Sequence, residues 1–192
     1  MKAAARALRQ IQAGITRLHA PRAPEPTQRV LMVCMGNICR SPTAEGVLRG
    51  KLQRAGLGAQ VAVDSAGTLG AHSGEAPDAR AIRAAARRGY DLSTLRARQV
   101  RAIDFEHFDW ILAMDSANLD WLRGRAPEAS RSRLGLLLDL ADPALLGGSD
   151  AEVPDPYYGP EAGFERVLDL VEAACDGLVL RLANPWAPPA NG

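Results

Sequence analysis

The sequence predicts an α/β fold, an open parallel sheet covered on both faces by helices, and three observations carry that reading. Short apolar runs stand at Val30-Leu31-Met32-Val33, Val61-Ala62-Val63-Asp64 and Trp110-Ile111-Leu112-Ala113-Met114, the pattern of strands buried on both faces. Segments with apolar residues at helical spacing alternate with them. Of the 192 residues 47% are apolar, and the charged 23% balance to +1. That is enough for one filled core, and it leaves no global field of the kind that binds nucleic acid. In such sheets a site forms at the carboxyl ends of the strands.

The first 28 residues stand apart. They carry Lys2, Arg6, Arg9, Arg17 and Arg22 against Glu25, a local charge of +4, which leaves −3 for the rest of a chain that totals +1. Leu8, Ile11, Ile15 and Leu18 recur at helical spacing, and Pro21, Pro24 and Pro26 end any helix in a stiff linker. A basic amphipathic helix of this kind either docks on its own domain or makes a weak contact with a membrane surface or a partner through residues 1–24. No stretch nears the roughly 18 apolar residues of a spanning helix, and the start lacks the apolar block of a secretory signal, so the expected compartment is the cytoplasm. The domain is expected over residues 29–183, with the proline-rich residues 184–192 as a tail in which Trp186 could still pack.

Within the domain, the strand at 30–33 ends at Cys34, and after a glycine-containing loop a helix runs from Ser41 to about residue 54. The strand at 61–64 is followed by a turn at Ser65-Ala66-Gly67-Thr68. Past Pro77-Asp78 comes a helix through Arg88, ended by Gly89. A third strand occupies 110–114 and a fourth 134–138. Phe164, Val167, Leu168, Val171, Ala174 and Leu178 line one face of a last helix within 160–182.

The most informative stretch is Cys34-Met35-Gly36-Asn37-Ile38-Cys39-Arg40-Ser41, between a strand end and a helix start. A loop there turns successive backbone N–H groups inward as an anion nest, and the helix adds its unpaired amides and positive dipole end. The five residues from Met35 to Cys39 let the backbone curl round one tetrahedral oxyanion such as phosphate, with the Cys34 thiol at the base and the Arg40 guanidinium gripping two oxygens. The same field favours the Cys34 thiolate, so nucleophile and cradle are one object. Asn37 tolerates left-handed backbone and is suited to brace the loop from behind. Ser41 is suited to cap the helix, to donate a hydrogen bond to the Cys34 sulfur, or to do both. The second glycine and the lysine of a nucleoside-triphosphate loop are missing. Cys34 and Cys39, with His19, His72 and His107 scattered, make no metal-ligand set, and three cysteines in all suit a reducing compartment.

Expelling an alcohol or phenol from phosphorus requires a proton. The candidate acid is Asp155 in Val153-Pro154-Asp155-Pro156-Tyr157-Tyr158-Gly159, on a loop stiffened by two prolines, with Tyr157 and Tyr158 as an aromatic wall. A nearby dianion favours its protonated form, and the carboxylate it leaves serves as base toward water. Asp115, at a strand end, reads as structural.

With these residues the chain resembles the low-molecular-weight protein tyrosine phosphatases. The resemblance rests on the cysteine loop through Pro42 and on Asp64-Ser65-Ala66-Gly67-Thr68, Pro77-Asp78-Ala79-Arg80-Ala81, Arg96-Ala97-Arg98-Gln99, Ile111-Leu112-Ala113-Met114-Asp115 and Asp155-Pro156-Tyr157-Tyr158-Gly159, in the family's order. It implies a three-layer α/β/α fold with a four-stranded parallel sheet, Cys34 as nucleophile, Arg40 as phosphate clamp, Asp155 as general acid, a phosphotyrosine-containing protein as substrate, and neither cofactor nor metal. It also makes Cys39 a candidate partner for a reversible disulfide with Cys34. Ile38 favours phosphotyrosine over phosphoarginine. Ala71 stands where relatives often carry an aromatic, Leu95 where they often carry a histidine that braces the loop asparagine, and residues 1–28 are unmatched. Two rivals remain: a thiol-dependent arsenate reductase, for which Cys175 would be the only further relay thiol, and a non-catalytic phosphotyrosine-binding module.

Overall fold

A computed structural model describes residues 25–145 and 152–184. The helix expected within residues 1–24 and most of the expected tail, Trp186 included, lie outside them. Four strands, β1 (Gln28–Cys34), β2 (Val61–Gly67), β3 (Trp110–Ala113) and β4 (Leu134–Leu136), form one sheet in the order β2-β1-β3-β4. All pairings are parallel, with Cys34 opposite Gly67 and Val33 opposite Ala113. Helices follow as α1 (Arg40–Arg54), α2 (Ala79–Arg87), α3 (Asp104–His107), α4 (Ser116–Arg123) and α5 (Ala162–Ala183).

Alternation along the strands sorts the core into two layers. Val30, Met32, Val63 and Leu112 point to the face covered by α1, α2 and α5, where Leu48, Ala84, Phe164 and Val171 are buried. Leu31, Val33, Ile111 and Ala113 point to the opposite face, under Phe105 of α3 and Leu119 and Leu122 of α4. The result is the expected three-layer α/β/α arrangement. Among the described residues no helix is long and apolar enough to cross a membrane.

Two boundary differences from the sequence reading change the course of the chain. Ser65, Ala66 and Gly67 continue β2 instead of turning, because they pair with Met32, Val33 and Cys34 in register and Gly67 also exchanges backbone bonds with Arg98 and Val100. The fourth strand stops at Leu136, and Leu137–Leu140 coil into a 3₁₀ turn that carries Leu137, Leu138 and Leu140 into the core beneath α5. The helix over Ala79–Arg87 ends as expected, with Gly89 at φ +80°, a conformation open to glycine at little cost.

This topology positions the site. From β1 the chain crosses one way to β2 and later the other way to β3, so the crevice beyond the carboxyl ends of β1 and β3 is the switch point of the sheet. Cys34 closes β1 there, Asp115 follows β3 by two residues, and the Val153 N–H donates to the Met114 carbonyl at 2.7 Å, bringing the later loop to the same edge. Gly67 lets the segments pack closely: a Cβ there would lie 2.6 Å from the Met35 carbonyl oxygen.

Candidate active site

The loop from Met35 to Cys39 is shaped by Asn37, the described non-glycine residue with positive φ, at +57°. Left-handed backbone costs an ordinary residue roughly 1–2 kcal/mol, and the Asn37 side chain offsets that with three hydrogen bonds. Its Oδ1 accepts from the backbone N–H of Arg98 at 2.9 Å, which fixes the orientation of the amide. Nδ2 therefore donates both hydrogens, to Ser41 Oγ at 2.9 Å and to Ser65 Oγ at 2.8 Å. Each serine must then send its own hydrogen elsewhere. Ser65 donates to Glu45 Oε2 at 2.6 Å. Ser41 has two acceptors in reach, Cys34 Sγ at 3.0 Å and the Ala66 carbonyl at 3.3 Å.

Of the two roles expected of Ser41, the cap is absent and the hydroxyl lies beside the sulfur. The N-cap position of α1 belongs to Cys39 and no side chain caps the helix, whereas Ser41 is buried against the sulfur. The brace expected of Asn37 is present, but not from the position of Leu95, which is buried in the core; the Arg98 N–H and Ser65 supply it. Behind Ser65, Glu45 is buried and paired with Arg49 at 2.7 Å. Burial pushes its carboxyl up, more than Ser65 and Arg49 pull it down.

Cys34 Sγ sits at the floor of this loop, accepting from the Asn37 N–H at 3.3 Å as well as facing Ser41. Cys39, five residues on, is a different thiol. Burial first, then the charges of Asp78 and Cys34, push it up to about 12, so it stays protonated at neutral pH. Cys175 is fully buried and also pushed up by burial.

Arg40 is buried, and its guanidinium joins three chain segments. Nη1 donates to Asp115 Oδ2 at 2.5 Å and to the Val153 carbonyl at 3.3 Å, and Nη2 donates to Asp155 Oδ2 at 2.6 Å. Burial works against its charge, but Cys34, Asp115 and Asp155 more than offset it and hold Arg40 above its ordinary value. Asp115 is thus more than structural. Its Oδ1 caps α4 by accepting from Asn118 N–H at 2.7 Å, and its Oδ2 anchors the arginine.

The sequence-derived residues converge. Cys34, Met35, Gly36, Ile38, Cys39, Arg40, Asp155, Tyr157 and Tyr158 line one small cleft of about 160 Å³, while Asn37 and Ser41 stand behind the loop as supports. Ala71, at the position where relatives often carry an aromatic, lines it as well, and so do Leu69 and His72, which were not singled out by the sequence. They follow the end of β2, whose last residue pairs with Cys34, so the strand-end rule pointed toward them. His72 closes over Gly36, where a Cβ would meet its ring at 3.2 Å, and its Nδ1 lies 2.9 Å from Glu75 Oε2. Tyr157 and Tyr158 meet edge to face at 4.9 Å between centroids, with Tyr158 almost wholly exposed. Among the described residues no group of three or more His, Cys, Asp or Glu side chains is placed to hold a metal ion.

Residues 29–185 match the family model described as low molecular weight phosphotyrosine protein phosphatase. A relative from Streptomyces coelicolor, a low molecular weight protein-tyrosine-phosphatase, is 48% identical over 153 residues, 80% of this chain and 92% of its own length. The crystal structure of a protein tyrosine phosphatase from Entamoeba histolytica with Hepes in the active site superposes with a TM-score of 0.78 at 39% identity, covering 83% of this chain and 99% of that one. The YfkJ structure from Bacillus subtilis superposes at 0.77 with 36% identity, covering 84% and 98%.

Proposed function

The chain belongs to the low molecular weight phosphotyrosine protein phosphatase family, and from that premise we propose that it hydrolyses phosphotyrosine and other aryl phosphate monoesters through a phosphocysteine, without a metal ion. The reading assigns the reaction to residues 29–183, with residues 1–28 as an appended extension and 184–192 as a tail. Its substrates are phosphotyrosine proteins of the cytoplasm.

In the first step Cys34 Sγ attacks phosphorus, the P–O ester bond breaks, and Asp155 gives its proton to the departing phenolate oxygen. The inward amides and Arg40 carry the charge of the equatorial oxygens, the role a metal fills elsewhere. A phosphate oxygen taken by Arg40 Nη2 competes with Asp155 Oδ2, so substrate binding exchanges one anion for another on the arginine and frees the acid, while Asp115 keeps Nη1 in place. In the second step the Asp155 carboxylate takes a proton from water, the water oxygen attacks phosphorus, and the S–P bond breaks. Ser41, whose hydroxyl hydrogen is shared between the Ala66 carbonyl and the sulfur, turns it to the sulfur and stabilises the departing thiolate. Inorganic phosphate and tyrosine are the products.

The observation that carries this reading is the meeting, in one cleft, of a sulfur held by Asn37 N–H and Ser41 with an arginine already joined to the candidate acid. Cys175, the one further thiol an arsenate reductase could use, is fully buried in α5 and offers no outward relay. The test is hydrolysis of an aryl phosphate in the presence of a chelator by the parent protein and by Cys34→Ser. Turnover by the parent and none by the variant is expected. Turnover that the chelator stops, or that survives in the variant, overturns the reading.

A further inference from the structure

The motif Pro77-Asp78-Ala79-Arg80-Ala81 has no part in the chemistry above, yet it lies between the two loops that do. Asp78 N–H donates to the Ile38 carbonyl at 2.7 Å, which ties the start of α2 to the phosphate loop. The Asp78 carboxylate caps α2 by accepting from the Arg80 N–H at 2.8 Å. It also takes a forked contact from the Arg80 guanidinium, Nε at 3.0 Å and Nη2 at 2.8 Å. A planar fork on a carboxylate has little freedom to turn. The rest of the guanidinium faces the other loop: Nη2 donates to the Tyr157 carbonyl at 2.9 Å and Nη1 to the Gly159 carbonyl at 3.3 Å. Its plane is backed by the Phe164 ring, 4.6 Å from the centroid, at the start of α5. Tyr157 in turn donates its N–H to Asp155 Oδ1 at 3.1 Å.

The contacts therefore run without a gap from Ile38 through Asp78, Arg80 and Tyr157 to the carboxyl group of Asp155. Resting on the proposed phosphatase reading, we propose that Arg80 is a positioning residue that sets the distance between the nucleophile loop and the general acid. Arg40 holds Asp155 by its other oxygen, and a phosphate competes for that contact. Once the contact is exchanged, the Tyr157 N–H is what keeps the acid aimed at the leaving oxygen, and Arg80 is what keeps Tyr157 in place. Arg80 touches neither the sulfur nor the phosphate cradle. Its loss should spare bond formation to sulfur and impair protonation of the leaving group.

A series of aryl phosphates from phenyl to 2,4-dinitrophenyl phosphate separates those effects, measured with the parent, Arg80→Ala, Arg80→Lys and, as a reference, Asp155→Asn. For Arg80→Ala we expect kcat/KM on phenyl phosphate to fall about ten- to a hundredfold. On 2,4-dinitrophenyl phosphate, whose phenolate leaves without a proton, the loss should be less than about threefold. The rate of Cys34 alkylation by iodoacetate should be unchanged. Arg80→Lys keeps a charge for Asp78 but not the fork reaching both carbonyls, and should fall between the two. A loss equal across the series, no loss at all, or slowed alkylation of Cys34 overturns the proposal. Failure of the underlying reading looks different: the parent is inactive, or Asp155→Asn shows no dependence on the leaving group.

Discussion

The two loops of the cleft are built in opposite ways. The nucleophile loop is held from inside: Asn37 and Ser41 are buried, and the hydrogen bonds of Asn37 reach Ser65 and the Arg98 backbone directly behind it. The acid loop is held from outside, by side chains reaching in from elsewhere, Arg40 at Asp155 and Arg80 at Tyr157 and Gly159. Asp155 keeps 45% of its side-chain exposure where Arg40 keeps 3%. A group that forms a bond to phosphorus needs a fixed place. A group that gives a proton, takes one back and changes partners on Arg40 needs a tether with slack. The difference in construction matches the difference between the tasks proposed for them.

Cutting each loop at its reacting atom tests that contrast most strongly. Cys34→Ser should reduce aryl phosphate hydrolysis to background with every substrate, because Cys39, the other thiol of the cleft, stays protonated. Asp155→Asn should cost about 10²–10⁴-fold on phenyl phosphate, the usual worth of a general acid, and much less on 2,4-dinitrophenyl phosphate. A comparable loss on both substrates would mean that the outer loop also shapes the cradle.

The supports should fail differently as well. Asn37→Ala puts an ordinary residue at φ +57° and strips buried partners from Ser41, Ser65 and the Arg98 N–H. Denaturant titration should show a loss of roughly 2–4 kcal/mol in stability, with Cys34 alkylation by iodoacetate slowed. Asn37→Ala at parental stability would break the account of the inner loop.

The smallest effect belongs to the outer brace and is read by pH. Hydrogen bonds from Arg80 hold the Asp78 carboxyl below the usual carboxylate range. A depressed group adds stability above its unfolded value and loses it as pH falls through the folded one. The parent should therefore have the higher denaturation midpoint at pH 7, and the gap to Arg80→Ala should close as pH falls below the ordinary range of an aspartate. A gap that persists in acid would show that Arg80 stabilises by packing on Phe164 rather than through Asp78.

Much of this was legible in the sequence because the inner loop is local. The short interval from Cys34 to Ser41, set between an apolar strand and a helix start, dictates its own geometry. The sheet follows from apolar runs whose alternation serves two faces. What stayed hidden is non-local. The second role of Asp115, as anchor for Arg40, depends on β3 lying beside β1, and a lone Asp at a strand end looks like any helix cap. Leu69 and His72 line the cleft only because Gly67 pairs with Cys34. The extension of β2 through Ser65-Ala66-Gly67 reads as a turn until its partner strand is known, since small residues there serve close packing rather than chain reversal. Ser41 is suited by its type to cap or to face the sulfur, and only the folded positions of Cys39 at the N-cap and Ser41 beside Cys34 separate the two.

The central claim is that both loops close on one tetrahedral oxyanion, with Arg40 exchanging Asp155 for it. A crystal structure with vanadate tests this most directly. We expect vanadium bonded to Cys34 Sγ, two oxygens gripped by Arg40 with Nη1 still on Asp115, and the freed Asp155 carboxyl within hydrogen-bond reach of the apical oxygen. Vanadate bound away from Cys34, or bound there with Arg40 still paired to Asp155 and the apical oxygen out of reach, would contradict it.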